Sequence, residues 1–328
     1  MQNLDSEQVA TLVQVAHLYY KDNLSQREIA DKLGVSRSLI ALYLQKAREQ
    51  QIVRIEIINP QDSSAGLALE LRNRAHIEDV IVVPHGHMAQ ELTRRAIAAA
   101  AAQYLDGRLE DGDTLGLGWG RTTARLVELL APTRPRDVDV VPLLGESSYT
   151  SAYTQMNQLV LQTAQHFNGR PHFLLAPMMV GSKVLRDLLM EDMAVRSVAQ
   201  KWDQLTIAVF GIGLITPATG MIVYIGEENL PAFRERGAVG DVCVHYFNAA
   251  GEFIDNELMH RLIGVSVQQL RAARCRIAVA TGVEKAAAVM GALRTGLITA
   301  LVVDAQLAQA VIDMLAPEEA GGANGVKR

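Results

Sequence analysis

Short apolar runs alternate with amphipathic helical patterns over most of this chain, and this alternation constrains the fold more than any other feature. The apolar runs begin at Asp79, Asp113, Val138, His172, Leu205, Arg276 and Ala300. Helical patterns cover residues 90–105, 121–130, 155–167, 184–200, 284–295 and 305–315. Strands that are apolar throughout are typical of a parallel sheet covered by helices on both faces. The pattern therefore predicts a Rossmann-like α/β domain.

A different pattern occupies the first 58 residues. Ser25 and Glu28 have the spacing of a capping box at the start of a short helix. Gly34 stands where that helix would end, and glycine is the usual residue at such a turn. Ser36 is placed to cap a second helix that begins at Arg37. With a further helical pattern over residues 7–20, these signals predict a small all-α domain that contains a helix-turn-helix.

The second helix of this hairpin has one apolar and one polar face. The polar face carries Arg37, Ser38, Ala41, Gln45 and Arg48, and no acid precedes Glu49. Guanidinium, hydroxyl and amide groups bind phosphates and base edges in a major groove, which favours DNA recognition over an ordinary helical hairpin with a solvated face. The residues expected to contact DNA are Ser25, Gln26, Arg27, Ser36, Arg37, Ser38, Gln45 and Arg48.

The charge of the chain bears on how tightly the helix-turn-helix can bind DNA. The chain carries a formal net charge of −5, and acids and bases balance in the first 58 residues. A single copy should therefore bind DNA weakly, and several copies held together would have to supply the affinity.

The domain organisation follows from these patterns. We expect a helix-turn-helix domain over residues 1–58, ending in a strand over 52–58, and a linker over 59–66. An α/β domain would follow over residues 67–316, starting with a short helix over 67–74, and 317–328 would be a disordered tail. The absence of a leader or a long apolar run predicts a cytoplasmic protein, with no membrane partner.

Candidate binding residues lie in the loops that follow the predicted strands, where open α/β sheets bind ligands. The strongest candidate is GLGWGRTT, in which glycines precede the start of a helix. Small residues and free helix N–H groups suit an anion or a polyol, and the alternative is a tight turn with no ligand. Its candidate residues are Gly118, Gly120, Arg121, Thr122 and Thr123.

Four other loops are weaker candidates. Glu146, next to Gly145, suits sugar hydroxyls or is merely a solvated loop carboxylate, and Lys285 either reaches an anion or is solvated. His245 alternates with apolar residues and is expected to be structural. The remaining candidates are Gly211, Gly213, Asp241 and Asp255.

Common catalytic and cofactor motifs are missing. The chain has no GxSxG, HExxH, Walker A or CxxC motif, and FGIGLITPATG matches a dinucleotide fingerprint only loosely. Cys243 and Cys275 match no metal-ligand spacing and are expected to be buried thiols. We therefore predict no catalytic residue, no metal site and no cofactor.

The stretch from Gly240 to Ala308, together with the helix-turn-helix, resembles the SorC family of bacterial sugar-responsive transcription regulators. The resemblance implies a sugar-binding domain related in fold to glucosamine-phosphate deaminase and ribose-phosphate isomerase. It also implies homo-oligomers, often tetramers, that bind an operator and respond to an effector. By position, residues 118–123 match the family's phosphate-facing turn. Gly145, Gly211, Gly213, Asp241, Asp255 and Lys285 match further effector-facing positions.

Three positions depart from the family pattern. Glu146 stands where relatives have a second glycine, Leu144 where those that bind bisphosphates have arginine, and Thr281 where glycine is common. These departures disfavour a bisphosphate ligand. We predict a DNA-binding regulator of a carbohydrate operon whose effector is a sugar, polyol or sugar phosphate. The alternative is a sugar-phosphate isomerase or deaminase with a DNA-binding domain, using Glu146, Asp241 or Asp255 as base.

Overall fold

A computed structural model describes residues 6–50, 52–53, 64–84, 90–146, 155–215, 226 and 229–315. The chain divides into two compact units, Met1–Asp62 and Ser63–Arg328. The predicted strand over 52–58 and the predicted tail over 317–328 lie mostly or wholly outside the described residues. Helix α4, Ser64–Ala75, corrects the linker prediction, because its first three residues were assigned to the linker.

The described part of the first unit contains three helices: α1 (Ser6–Tyr20), α2 (Gln26–Leu33) and α3 (Arg37–Glu49). A small core joins them through Leu18 of α1, Ile29 of α2 and Ile40 of α3. Val9 and Val13, which fit the apolar stripe of α1, are exposed in this unit because α1 buries the neighbouring stripe instead.

The turn between α2 and α3 has the predicted helix-turn-helix geometry. Ser25 Oγ accepts from the N–H of Glu28 at 3.3 Å, and the Glu28 carboxylate accepts from the N–H of Ser25 at 2.8 Å, closing the capping box. Gly34 ends α2 in the left-handed region with φ 66°, where glycine carries no Cβ penalty. Ser36 Oγ accepts from the N–H of Leu39 at 3.2 Å and starts α3.

The second unit is built on a parallel sheet of seven strands. In spatial order they are β1 (Asp79–Val83), β9 (Ala300–Asp304), β8 (Cys275–Val279), β5 (Ile207–Gly211), β2 (Thr114–Leu117), β3 (Asp139–Pro142) and β4 (Arg170–Pro171). Two further strands, β6 (Ala238–Val242) and β7 (His245–Asn248), form a separate antiparallel hairpin.

Helices cover both faces of the sheet. The helices in the described part of this unit are α4, α5 (Gln90–Arg108), α6 (Arg121–Glu128), α7 (Met156–Phe167), α8 (Lys183–Glu191), α9 (Met193–Ala199), α10 (Leu230–Glu235), α11 (Val267–Ala272), α12 (Ala286–Arg294) and α13 (Ala305–Met314). Along β5, Phe210 packs in one apolar core and its neighbour Val209 in another. The strands are therefore buried on both sides, as their uniform apolar composition predicts.

Two predicted elements differ from the structure, and one hairpin was not predicted. The helix over 184–200 is broken at Asp192, whose extended backbone lets its carboxylate accept from the N–H of Ala194 at 2.8 Å and cap α9. The strand predicted from His172 lies earlier in the chain, because β4 is Arg170–Pro171 and His172 adds only a hydrogen bond from its N–H to the carbonyl of Val140 at 2.9 Å. The β6–β7 hairpin was not predicted, since its polar residues interrupt the apolar pattern.

The strand order decides which loops meet. β8, β5, β2 and β3 are consecutive neighbours in one parallel sheet, so the loops after their carboxyl ends lie side by side. Within the described residues, no helix combines the length and apolarity required to cross a membrane.

Candidate functional site

The polar face of α3 is exposed as its periodicity predicts. Arg37, Ser38, Gln45 and Arg48 are exposed, whereas Ile40 and Leu44 are buried against α1 and α2. Ala41 is also exposed and leaves room for close approach of a ligand. The face therefore presents two guanidinium groups with one hydroxyl and one amide.

The other predicted DNA contacts lie at the starts of the two helices. Arg27 is exposed and Gln26 is half-buried. The hydroxyl oxygens of Ser25 and Ser36 accept the capping bonds, which leaves their hydrogens available to a phosphate. Leu42, which the prediction omitted, is also exposed on α3 and adds an apolar edge to the face.

The GLGWGRTT turn follows β2 and leads into α6. The N–H of Gly118 donates to the carbonyl of Val209 at 2.7 Å, and a methyl group at Gly118 would lie 2.7 Å from Cβ of Phe210. Glycine is therefore required for β2 and β5 to approach so closely. Gly120 precedes α6 with φ 149°, a conformation that L side chains rarely adopt.

The N-terminus of α6 carries no side-chain cap. Arg121 begins the helix and is exposed, and Thr122 is half-buried. Thr123 is fully buried, and its hydroxyl has no hydrogen-bond partner in the described part of the chain. Uncapped N–H groups with donor side chains beside them attract an anion.

Lys285, in the loop after β8, interacts electrostatically with Arg121 and Arg94, and we call these three side chains the cationic region. Its ammonium group donates to the carbonyl of Ile212, just beyond β5, at 2.6 Å. Burial is the main cause that lowers the pKa of Lys285; the negative charges of Asp241 and Glu284 oppose this shift, and the positive charges of Arg121 and Arg94 add to it. Three cations from three elements are thus close enough to interact electrostatically.

Arg94 was missed by the sequence prediction. It is buried on α5 and pairs with Glu91, which also accepts from Arg125 at 2.9 Å. The available signal was its position, because Arg94 occupies the same apolar stripe as Ile97 and Ala101. A charge on a buried stripe requires a partner or a function.

Asp241 adds a buried carboxyl group at the β6–β7 hairpin. One oxygen accepts from the N–H of Val244 at 3.1 Å, while the other has no hydrogen-bond partner among the described residues. Burial raises the pKa of Asp241 to about 6, although the Val244 bond and the charge of Lys285 favour the ionised form. A methyl group at Gly213 would lie 1.9 Å from Asp241 Oδ1, so only glycine leaves room for this carboxyl.

Asp304, another residue that the prediction omitted, shapes the loop after β8. Its carboxylate accepts from the N–H of Gly282 at 2.9 Å and from the N–H of Leu307 at 2.9 Å. It therefore caps α13 and also holds the turn that leads to Lys285. An acid that directly follows an apolar strand and precedes a helix is the signal that identifies such a cap.

The structure gives Glu146 and Gly145 structural contacts. The Glu146 carboxylate accepts from the N–H groups of Met156 at 3.1 Å and Asn157 at 2.7 Å, so it caps α7. A methyl group at Gly145 would lie 2.6 Å from the backbone of Pro177. These contacts give both residues a structural role, and their part in effector binding stays a prediction.

Asp255 and His245 also lie outside the cationic region. The Asp255 side chain is exposed and lies 3.4 Å from His260. His245 Nε2 lies 2.8 Å from the carbonyl of Val265, in agreement with a structural role. A methyl group at Gly211 would lie 3.8 Å from the carbonyl oxygen of Trp119, so Gly211 adjoins the GLGWGRTT turn.

Metal and thiol chemistry find little support in the described ranges. They contain no group of three or more His, Cys, Asp or Glu side chains placed to hold a metal ion. Cys243 and Cys275 are free and buried.

Comparison with known proteins identifies the family. The family model Sugar-bind, whose description is "Putative sugar-binding domain", matches residues 59–313. The sorbitol operon regulator of Klebsiella pneumoniae is 27% identical over 312 residues, covering 94% of this chain and 99% of that protein. The transcriptional regulator YjhU of Escherichia coli K12 is 31% identical over 294 residues, covering 88% of this chain and 89% of that protein.

A solved structure gives the same result. The crystal structure of the full-length sorbitol operon regulator SorC from Klebsiella pneumoniae superposes with a TM-score of 0.81 at 27% identity, covering 94% of this chain and all of that one. The resemblance inferred from sequence is thereby confirmed. The chain belongs to the SorC family of transcription regulators, with an N-terminal helix-turn-helix and a C-terminal domain of the sugar-binding family.

Proposed function

We propose that the protein binds operator DNA through α3 and is controlled by a carbohydrate effector bound at the carboxyl ends of β2, β5 and β8. The observation that carries the proposal is that one chain contains both of two features. The first is the exposed, acid-free polar face of α3. The second is the uncapped N-terminus of α6 with the cationic side chains near it. Relatives named for a sorbitol operon and for deoxyribonucleosides support a carbohydrate ligand.

The charges favour a phosphorylated effector. The N-terminus of α6, Arg121, Lys285 and Arg94 all stabilise negative charge, and phosphate is the anion that such helix starts bind. Asp241, whose second oxygen has no partner in the described residues, suits a sugar hydroxyl. The proposed effector residues are Gly118, Gly120, Arg121, Thr122, Thr123, Gly211, Gly213, Asp241 and Lys285, with Arg94 added.

Control requires different effector affinities in two arrangements of the protein. An effector that binds the DNA-competent and DNA-incompetent arrangements equally shifts nothing. The proposed site draws its groups from three strand-end loops, strand β6 and two helices, so a ligand that bridges them can favour one arrangement. We further propose that homo-oligomers, with tetramers expected, bring several recognition helices to one operator.

A thermal-shift screen tests the effector site. Phosphate monoesters of sugars and polyols should raise the melting temperature more than the corresponding free compounds, in proportion to RT ln(1 + [L]/Kd). Arg121→Ala should weaken the response to a phosphorylated hit at least tenfold. Arg134→Ala, which removes an exposed arginine paired only at the surface with Asp111, serves as the control. An unchanged response in Arg121→Ala would remove α6 from the site.

Operator binding tests the recognition helix. Arg37→Ala should abolish binding to a duplex selected from a random library, while the thermal shift with effector stays unchanged. Lys32→Ala, an exposed lysine at the end of α2, is the control for lost positive charge. Normal operator affinity in Arg37→Ala would refute the assignment of α3.

The alternative of a sugar-phosphate isomerase or deaminase has little support in the geometry. Such chemistry needs a positioned acid or base next to the substrate. Glu146 caps α7, Asp255 is exposed, and the hydrogen bond that Asp241 accepts comes from a backbone N–H. Turnover of pentose or hexose phosphates by the purified protein would establish the enzyme instead.

A further inference from the structure

Arg94 is a buried cation near the carboxyl edge of the sheet. Helix α5 follows β1, and a helix that follows a strand of a parallel sheet begins at that edge. Ile97, on the same buried stripe of α5, belongs to one apolar core with Leu117 and Val279, the last residues of β2 and β8. Arg94 lies about one helical turn nearer the edge than Ile97. Its guanidinium group is therefore placed next to the loops of the proposed effector site.

The carboxylate of Glu91 pairs with this cation. Arg94 Nη1 donates to Glu91 Oε2, and the described part of the chain shows no other hydrogen bond of the Arg94 side chain. The Arg94 side chain is 10% exposed, so its charge has little access to water. A guanidinium group carries five N–H donors, and one carboxylate oxygen leaves most of them unused. Arg94 thus has the capacity to bind a further anion.

Glu91 has a second cationic partner, unlike Arg94. Glu91 Oε1 accepts from Nη2 of Arg125, on α6, at 2.9 Å. Arg125 also donates to Glu128 at 2.5 Å. The hydrogen bond from Arg125 is the main cause that lowers the pKa of Glu91; burial opposes the shift, and the charge of Arg94 adds to it. Glu91 therefore stays ionised near Arg125 even when it leaves Arg94.

The two members of the pair differ in what separation costs them. The Glu91 side chain is 55% exposed, so it keeps both water and Arg125 when it turns away. Arg94 is buried, and a buried charge that loses its only partner is strongly destabilising. Arg94 consequently needs one anion at all times, and a phosphate with several acceptor oxygens satisfies more of its donors than one carboxylate oxygen does.

We propose that Glu91 is an exchangeable counter-ion of Arg94 that makes the effector site selective for phosphorylated ligands. In the free protein Glu91 neutralises Arg94. A phosphate bound beside the N-terminus of α6 takes its place, and Glu91 then pairs with Arg125 alone. An uncharged sugar or polyol cannot replace a carboxylate, so it leaves the Arg94–Glu91 pair intact. This inference rests on the proposed function, because it concerns the ligand class of the same site.

Binding of inorganic phosphate to the full chain, measured by calorimetry at ionic strength held constant with potassium chloride, tests the exchange. Glu91→Gln removes the competing charge, so the Kd for phosphate should fall roughly fivefold, at the low end of coupling energies between sites. Glu128→Gln is the matched control, because it removes a carboxylate of the same network that pairs with Arg125 and not with Arg94. Its Kd should equal that of the wild type. An unchanged Kd in Glu91→Gln, or an equal gain in both variants, would overturn the proposal.

An Arg94→Met background shows whether Glu91 acts through Arg94. Methionine fills the buried space without a charge, and neutral replacements of a buried ion pair are well tolerated, so the double variant with Glu91→Gln should fold. In this background Glu91→Gln should leave the Kd for phosphate unchanged, because no buried cation remains to be exchanged. A fivefold gain without Arg94 would make Glu91 a general surface charge and refute the exchange.

Arg121→Ala separates failure of this inference from failure of the proposed function. Loss of phosphate binding in Arg121→Ala, together with an unchanged Kd in Glu91→Gln, would retain the effector site and exclude Glu91 as its counter-ion. Absence of phosphate binding in the wild type and in Glu91→Gln alike would refute both the phosphorylated effector and the exchange. The expected result is weaker binding in Arg121→Ala and tighter binding in Glu91→Gln.

Discussion

Replacing Asp241 with asparagine should stabilise the sugar-binding unit at alkaline pH. The carboxyl is buried, and burial raises its pKa from an ordinary 3.8 to about 6. Above pH 6 the buried carboxylate of Asp241 is therefore ionised in the folded protein. It accepts a hydrogen bond from the N–H of Val244, and the positive charge of Lys285 stabilises it. Asparagine keeps an acceptor for Val244 but carries no charge.

The size of the effect follows from linkage. Between pH 3.8 and about 6 the folded state holds a proton that the unfolded chain has released, so stability falls as pH rises through this range and then levels off. At about 1.4 kcal/mol for each tenfold change, the cost above pH 7 is about 3 kcal/mol. Asp241→Asn should recover about this amount at pH 8 and about half of it at pH 5.

Urea unfolding followed by tryptophan fluorescence measures this difference. Both tryptophans, Trp119 and Trp202, lie in the sugar-binding unit, so the signal reports that unit alone. Asp255→Asn, which changes an exposed carboxylate on the same chain segment, should have no effect at either pH. An Asp241→Asn variant no more stable than wild type at pH 8, or equally stabilised at both pH values, would refute the reasoning.

Three further substitutions test the packing around the site by urea unfolding. Gly213→Ala should cost about 2 kcal/mol because its methyl group would lie 1.9 Å from Asp241 Oδ1, and this loss should shrink in an Asp241→Ala background. Glu146→Gln should cost about 1 kcal/mol by removing the negative charge that caps α7, whereas Glu284→Gln at an exposed site should not. Tyr246→Phe should add about 1 kcal/mol, since the buried hydroxyl has no hydrogen-bond partner among the described residues; a loss would reveal such a partner.

Local signals in the sequence predicted much of the fold. The Ser25–Glu28 capping box, Gly34 and Ser36 identified the helix-turn-helix because capping and left-handed turns depend on residues three or four positions apart. The uniformly apolar runs identified six of the seven sheet strands in place, because burial on both faces leaves no position for polar residues. The strand predicted from His172 is not where the structure has it, because β4 ends at Pro171.

The site was predicted less completely. The GLGWGRTT turn and Lys285 could be proposed because glycines and polar groups after an apolar strand are visible in sequence. The capping of α7 by Glu146 was not predicted, since a loop carboxylate gives no sign that it will cap a helix ten residues later. Arg94 was missed because its partners come from other elements.

The sequence by itself determined the local elements, their order and the family, because these depend on spacing along the chain. Only the tertiary structure decided which loops meet. The strand order places the loop after β8 beside the loop after β5, so that Lys285 reaches the carbonyl of Ile212 across 73 residues of sequence. That order is set by the packing of the whole sheet, and no local pattern encodes it. The cationic region and the buried carboxyl of Asp241 are consequences of that packing.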